Sequence, residues 1–221
     1  MVVSPIEYAP KGLVCFDFDS VLTPIEIIDE LAKIAGVEKQ VCEITRRAMN
    51  GELDYKTALL TRVNLIKGLK VDVLKELGER LPITPGVKET VEYLQRNKIL
   101  PVIISGGFFE VIFEANRRIG APLILANRLQ AENGVLTGEV SGLCLTPEAK
   151  GELLAYLVYL FNIPMSKTAA VCDGANDVSL LRKVALPLGF KPKDNIKSHI
   201  RYWSGNDMRE ILGYLVSENF L

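Results

Sequence analysis

A chain of 221 residues is about one and a half average domains, which favours one sizeable domain carrying an insertion. Hydrophobic residues make up 48%, enough for a packed core, and a net charge of −1 gives no global field for nucleic acid or an anionic membrane. The single histidine, His199, argues against a histidine metal cluster and against histidine-based catalysis.

In chain order, 13–18 is a short, nearly continuous apolar run between Gly12 and the polar Asp19-Ser20, which predicts a strand buried on both faces. From about Pro24 to Leu81 the pattern is helix after helix, over 25–35, 38–49, 55–66 and 71–81, separated by Gly36, Asn50-Gly51 and Gly68. An insertion of about 60 residues without a strand pattern exceeds an ordinary loop and predicts a small lid over the strand ends. The alternation then resumes. A helix opening at Pro85 is followed by an apolar run at 100–104, a helical pattern from Phe108 to Ala115, and a run at 123–126. Asn133-Gly134 predicts a hairpin, here a small flap beside the sheet. Thr146-Pro147 starts a helix with a threonine cap and proline at the first position. Apolar runs at 168–171 and 184–188 complete the set. Strands alternating with helices predict an α/β fold with a parallel sheet, its core spanning 1–20 and 83–221 and a helical cap at 21–82.

The four cysteines, Cys15, Cys42, Cys144 and Cys172, form no C-x-x-C pair, and none precedes an arginine by six positions as a cysteine-nucleophile phosphatase loop requires. They read as small buried side chains in a reducing compartment. The N-terminus lacks a basic region followed by an apolar stretch, and the longest apolar run, 153–161, is far below a membrane span. A cytoplasmic protein with no nucleic-acid or membrane partner is expected.

Four places carry chemistry. Asp17-Phe18-Asp19 ends the first strand, where ligands of open α/β sheets bind. Taken alone it is equally a solvated strand end with a capping aspartate, but three apolar residues before Asp17 make an unpaired carboxylate costly unless a cation meets it. Asp173-Gly174-Ala175-Asn176-Asp177 ends another apolar strand, and Asp177 alone could be a first-turn helix acid. Two acidic strand ends together suggest a hard oxygen site, which points to Mg²⁺. Ser105-Gly106-Gly107 before a helix suits an anion held by backbone N–H groups, or a plain turn. Lys150 falls in the first turn of an otherwise apolar helix, opposing its dipole, and is either functional or a solvated lysine. No two glycines flank a single residue and no Gly-Lys pair exists, so dinucleotide and Walker A loops are absent.

In this order, Asp-x-Asp, Ser-Gly-Gly, Lys and Asp-Gly-x-Asn-Asp resemble the four motifs of the haloacid dehalogenase superfamily of phosphohydrolases. The segments at 26–30, 48–51, 62–63, 126–129 and 136–138 resemble its phosphoserine phosphatase branch, and the likeness spans roughly 12–215. Two positions depart: Val21 stands where many members have threonine, and Cys172 where glycine usually precedes the fourth motif. The resemblance implies a Rossmann-like core with an inserted cap. It implies Asp17 as nucleophile, Asp19 as general acid and base, and Lys150 balancing the charge of nucleophile and phosphate. Mg²⁺ would be held by Asp17, Asp173, the Asp19 carbonyl and, through water, Asp177. Ser105, Gly106, Gly107 and Asn176 would bind phosphate. Glu26 would meet the ammonium of phosphoserine and Arg62 its carboxylate, with Met49 and Tyr55 flanking the pocket. Tyr55, where relatives often have phenylalanine, adds a hydroxyl.

The resemblance therefore implies a phosphoserine phosphatase of serine biosynthesis. The alternatives are another small phosphomonoester or transfer of phosphate to an acceptor such as homoserine. A receiver-like phospho-accepting domain would need neither the insertion nor Asp19, and a plain binding module no paired acids. The helix at 147–161 is either sandwiched in the core or the face of a homodimer.

Overall fold

The computed structural model describes residues 4–142 and 144–220. β1 (Gly12–Phe16) is buried along its whole length, as an apolar run without polar alternation requires of a central strand. Its side chains alternate between two cores, Val14 and Phe16 on one face and Leu13 and Cys15 on the other. β2 (Ile99–Phe108) and β5 (Thr168–Cys172) pair with it in parallel. β3 (Leu123–Glu132) lies beyond β2; β6 (Leu186–Phe190) and then β7 (Tyr202–Ser204) lie beyond β5, again in parallel. β4 (Val135–Ser141) runs antiparallel to β3. Asn133 and Gly134 join them at φ of 51° and 79°, the positive values a tight hairpin turn needs. The sheet order is β4-β3-β2-β1-β5-β6-β7, the parallel Rossmann-like arrangement with a hairpin flap.

Four helices fill the chain between β1 and the crossover helix that leads to β2: α1 (Ile27–Ala35), α2 (Glu38–Met49), α3 (Tyr55–Leu65) and α4 (Asp72–Arg80). With the crossover helix α5 (Val87–Arg96), α6 (Phe109–Asn116) and α9 (Glu210–Ser217) they share one core; α7 (Pro147–Leu160) and α8 (Val178–Leu181) build the other. The insertion leaves just after β1 and returns just before α5, at adjacent points. There Thr84 stitches the two crossings, its N–H donating to Leu22 O at 2.9 Å and its hydroxyl to Val21 O at 2.7 Å. At its far end the insertion is tied to the flap and to α6. Lys70 bridges to Val135, and Arg118 donates to Gly78 O at 2.9 Å.

Several expectations need correction. Ser105-Gly106-Gly107 is the strand end before a helix that was expected, but β2 runs on to Phe108 with a bulge between Ser105 and Phe108, and α6 starts at Phe109. Glycine without a side chain to pack lets the strand bulge instead of stopping. The last long strand lies at Leu186–Phe190, two residues later than its apolar run suggested. The first strand ends at Phe16, and Asp17 to Leu22 form a tight turn in which Ser20 sits at φ 61°. α7 is not sandwiched: Leu154 and Leu157 are buried, while Tyr156, Tyr159 and Leu160 face outward. Of the cysteines, Cys15 and Cys172 are buried, but Cys42 is exposed on α2, a helix that buries only Val41. No helix among the described residues is long and apolar enough to cross a membrane.

Candidate active site

The C-terminal ends of β1, β2 and β5 meet beneath the inserted helices. A cavity of about 660 Å³ opens there, lined by Asp17, Asp19, Glu26, Met49, Tyr55, Arg62, Gly106, Gly107, Asp173 and Asn176. Ser105, Lys150 and Asp177 lie under its floor, each fully or nearly fully buried. The predicted residues thus fall into one place, in two layers.

Asp17 directly follows β1, and its N–H donates to Val171 O at 3.1 Å, which locks the ends of β1 and β5 together. Its Oδ1 accepts from Phe18 N at 2.8 Å and lies 3.2 Å from Lys150 Nζ; Oδ2 accepts from Asn176 at 3.3 Å. Lys150 also reaches Asp177 Oδ1 at 2.5 Å. Burial alone would lower the lysine's pKa, but Asp17 and Asp177 raise it well above the ordinary value, so it stays charged. Its helix is held at that point by Thr146, whose hydroxyl accepts from Ala149 N at 3.4 Å.

Asp19 faces a different environment. Its Oδ1 accepts from Ile27 N at 3.2 Å, at the start of α1. Burial, then the charges of Glu26 and Asp17, push its carboxyl well above the usual carboxylate range. Two acids two residues apart therefore meet different surroundings: Asp17 lies 3.2 Å from the Lys150 ammonium, while Asp19 faces Ile27 N–H and the charges of Glu26 and Asp17. Gly107 lies against both partners of this arrangement, since a Cβ there would stand 2.9 Å from Asp19 Oδ2 and 3.1 Å from Ser105 Oγ. Ser105 Oγ accepts from Gly107 N at 2.9 Å.

Ligand atoms of Asp17, Asp173 and Asp177 lie within 4.8 Å of one another, and all three residues are buried. Asp177 Oδ2 has no hydrogen-bond partner. Burial and then Asp17 push Asp177 well above the usual range against the pull of Lys150, and the same two causes raise Asp173. An all-oxygen set with an orphaned buried acceptor and crowded carboxylates fits a hard divalent cation, which would take the place of those protons. The Asp19 side chain stands outside this set.

In the inserted helices, Glu26 accepts from the Ser20 hydroxyl at 2.8 Å, and burial raises its pKa. Arg62 is aimed by Ala58 O at 3.2 Å and Thr45 Oγ1 at 3.4 Å. Met49 is 78% exposed and lines the cavity at its rim. Cys172 departs from the motif without consequence, because its side chain packs in the core on the other face of the sheet.

Two polar residues of the site lay outside the sequence reading. Lys193 Nζ lies 2.9 Å from Asp173 Oδ2, and its N–H donates to Asp173 O at 2.8 Å. Lys191-Pro192-Lys193 directly follows β6, so the strand-end rule that found Asp17 would have found it. Asn127, 1% exposed, donates to Gly106 O at 2.8 Å and accepts from Leu145 N at 2.7 Å, joining the bulge of β2 to the approach of α7. Its signal was a polar residue inside an apolar strand.

A family model described as haloacid dehalogenase-like hydrolase matches residues 12–184. The chain belongs to this family. Among its haloacid dehalogenase-like relatives, phosphoserine phosphatase of Methanocaldococcus jannaschii is 38% identical over 93% of this chain and 98% of its own. Phosphoserine phosphatase of Saccharomyces cerevisiae is 35% identical over 94% of this chain and 69% of its own. A solved phospho-aspartyl intermediate analogue of phosphoserine phosphatase superposes with a TM-score of 0.85 at 38% identity, over 93% of this chain and 99% of that one.

Proposed function

We infer that this chain is a phosphoserine phosphatase: it hydrolyses O-phospho-L-serine to L-serine and phosphate, the last step of serine biosynthesis, with Mg²⁺ as cofactor. The observation that carries the reading is the placement of Asp17 and Asp19 at one strand end, Asp17 3.2 Å from a fully buried lysine and within ligand distance of Asp173 and Asp177 while the Asp19 side chain stands apart. The full-length likeness to phosphoserine phosphatases supports the substrate.

Asp17 Oδ attacks phosphorus as the bond from phosphorus to the seryl oxygen breaks, giving an aspartyl-phosphate. Asp19 gives its proton to the departing oxygen and then takes one from the water that attacks phosphorus and frees Asp17. Lys150, 3.2 Å away, aims the Asp17 carboxylate, while Ser105, Gly106, Gly107 and Asn176 seat the phosphoryl oxygens. Asp17, Asp173 and Asp177, with the Asp19 carbonyl, would hold Mg²⁺, which neutralises charge on the phosphoryl group. Glu26 and Arg62 take the ammonium and carboxylate of serine, a match of one anion and one planar cation to a zwitterion. Residues 21–82 act as the lid over a core of 1–20 and 83–221, excluding water from the closed site.

The test is phosphate release from phosphoserine against a panel of phosphomonoesters, with and without Mg²⁺ and with homoserine as acceptor. Preference for phosphoserine, dependence on the metal and no acceptor product are expected; preference for another ester, or phosphohomoserine formation, refutes the reading. The enzyme is placed in the cytoplasm, where the exposed Cys42 thiol stays reduced. The apolar outer face of α7 is assigned to a second copy in a homodimer, and a strict monomer in light scattering removes that assignment.

A further inference from the structure

Tyr55 opens α3 in the insertion, yet its hydroxyl rests on the sheet. A Cβ built on Gly106 would overlap that hydroxyl and come 3.4 Å from the ring carbon bearing it. The side chain lines the same cavity as Asp17, Asp19, Gly106 and Gly107, and the charges of Lys150, Asp17 and Arg62 all act on it. Among the described residues no protein group hydrogen-bonds the hydroxyl. A phenol mostly removed from water ordinarily finds a partner, so this one is a donor waiting for a group that enters the cavity.

We propose that Tyr55 is a phosphate-binding residue, its hydroxyl donating a hydrogen bond from the insertion to a phosphoryl oxygen seated at Ser105–Gly106–Gly107. Burial pushes its pKa up to about 12, so the phenol keeps its proton throughout the neutral range. The proposal rests on the reading of that strand end as the phosphate site. It divides labour among the inserted helices: Glu26 and Arg62 recognise the amino acid, and Tyr55 recognises the group being transferred.

Tyr55→Phe removes the donor and keeps the ring. Inorganic phosphate and L-serine are measured as inhibitors of the parent and the variant, with phosphoserine and para-nitrophenyl phosphate as substrates. The inhibition constant for phosphate should rise about tenfold, the loss expected for one hydrogen bond to an anion. The constant for L-serine should not move, and kcat/KM should fall by the same factor for both substrates. An unchanged phosphate constant, or a loss confined to phosphoserine and L-serine, overturns the proposal. Parent enzyme that ignores phosphoserine would instead overturn the function proposed for the chain, while phosphate and the aryl ester still decide the role of Tyr55. Thermal melting gives a second readout that needs no turnover: the rise in Tm on adding inorganic phosphate should shrink in the variant, and an equal rise counts against the hydroxyl.

Discussion

Replacing Lys150 by methionine removes one charge and keeps most of the side-chain volume, at a position only 1% exposed. The ammonium stands 3.2 Å from Asp17 and 2.5 Å from Asp177. At an effective dielectric near 20, an ionised carboxylate at these distances attracts the ammonium by roughly 5 to 7 kcal/mol before desolvation is counted, and a protonated one by much less. Desolvation offsets several kcal/mol of this, and removing one partner of such a buried pair leaves a net loss of about 3–5 kcal/mol. The metal-free variant should therefore unfold at lower urea by that amount near neutral pH. Protonation limits the damage. Burial and Asp17 already hold Asp177 well above its ordinary range, and without Lys150 it rises further. A carboxyl whose folded pKa exceeds its unfolded one binds more protons when folded, so stability falls as pH rises through that window and returns as pH drops toward about 4. The deficit relative to the parent should thus shrink in mild acid. Mg²⁺ should also restore part of it near neutral pH. Urea unfolding in chelator and in Mg²⁺, at two pH values, reads all three effects. Equal stability of variant and parent in chelator near neutral pH refutes the picture of Lys150 as the charged partner of this carboxylate cluster.

Asp17→Asn should abolish turnover of every phosphomonoester, and a retained rate would remove the nucleophile assignment. Asp19→Asn should slow phosphoserine hydrolysis by about 10²- to 10⁴-fold. It should largely spare the first burst with an aryl phosphate, whose leaving group needs no proton; equal loss of that burst would show that Asp19 is not the acid. Because burial, Glu26 and Asp17 raise the Asp19 pKa, the parent should lose phosphoserine turnover on the alkaline side as that proton leaves, a limb absent from the variant's pH profile. Arg62→Ala should lower kcat/KM for phosphoserine by about 10- to 100-fold with little change for an aryl phosphate, and equal losses would count against carboxylate recognition. Gly106→Ala should weaken phosphoserine binding by colliding with the Tyr55 hydroxyl, and Tyr55→Phe in the same chain should recover part of it. No recovery would mean that the two do not meet.

Much of this was legible in the sequence because it follows from strands buried on both faces. The apolar run before Asp17 announces a central strand, and a carboxylate at such a strand end needs a cation. Asp173 was readable by the same rule. Of the later short elements, α8 was expected only as the helix whose first turn holds Asp177, and β7 and α9 were not anticipated. The bulge through Gly106 and Gly107 was missed because two glycines signal a turn as readily as an irregular strand. Glu26 and Arg62 look like ordinary helix residues, and only the resemblance picked them out. The contact between Tyr55 and Gly106 joins positions about 50 residues apart, which no local pattern encodes.

The stitch made by Thr84 across Val21 and Leu22 bears on how such enzymes diversify. Entry after β1 and exit before α5 lie side by side, so a different insert spanning the same short gap would leave every strand register untouched. The residues that break the phosphate ester and those that choose its alcohol can therefore vary almost independently. One sheet can serve many substrates by exchanging a module at a single address.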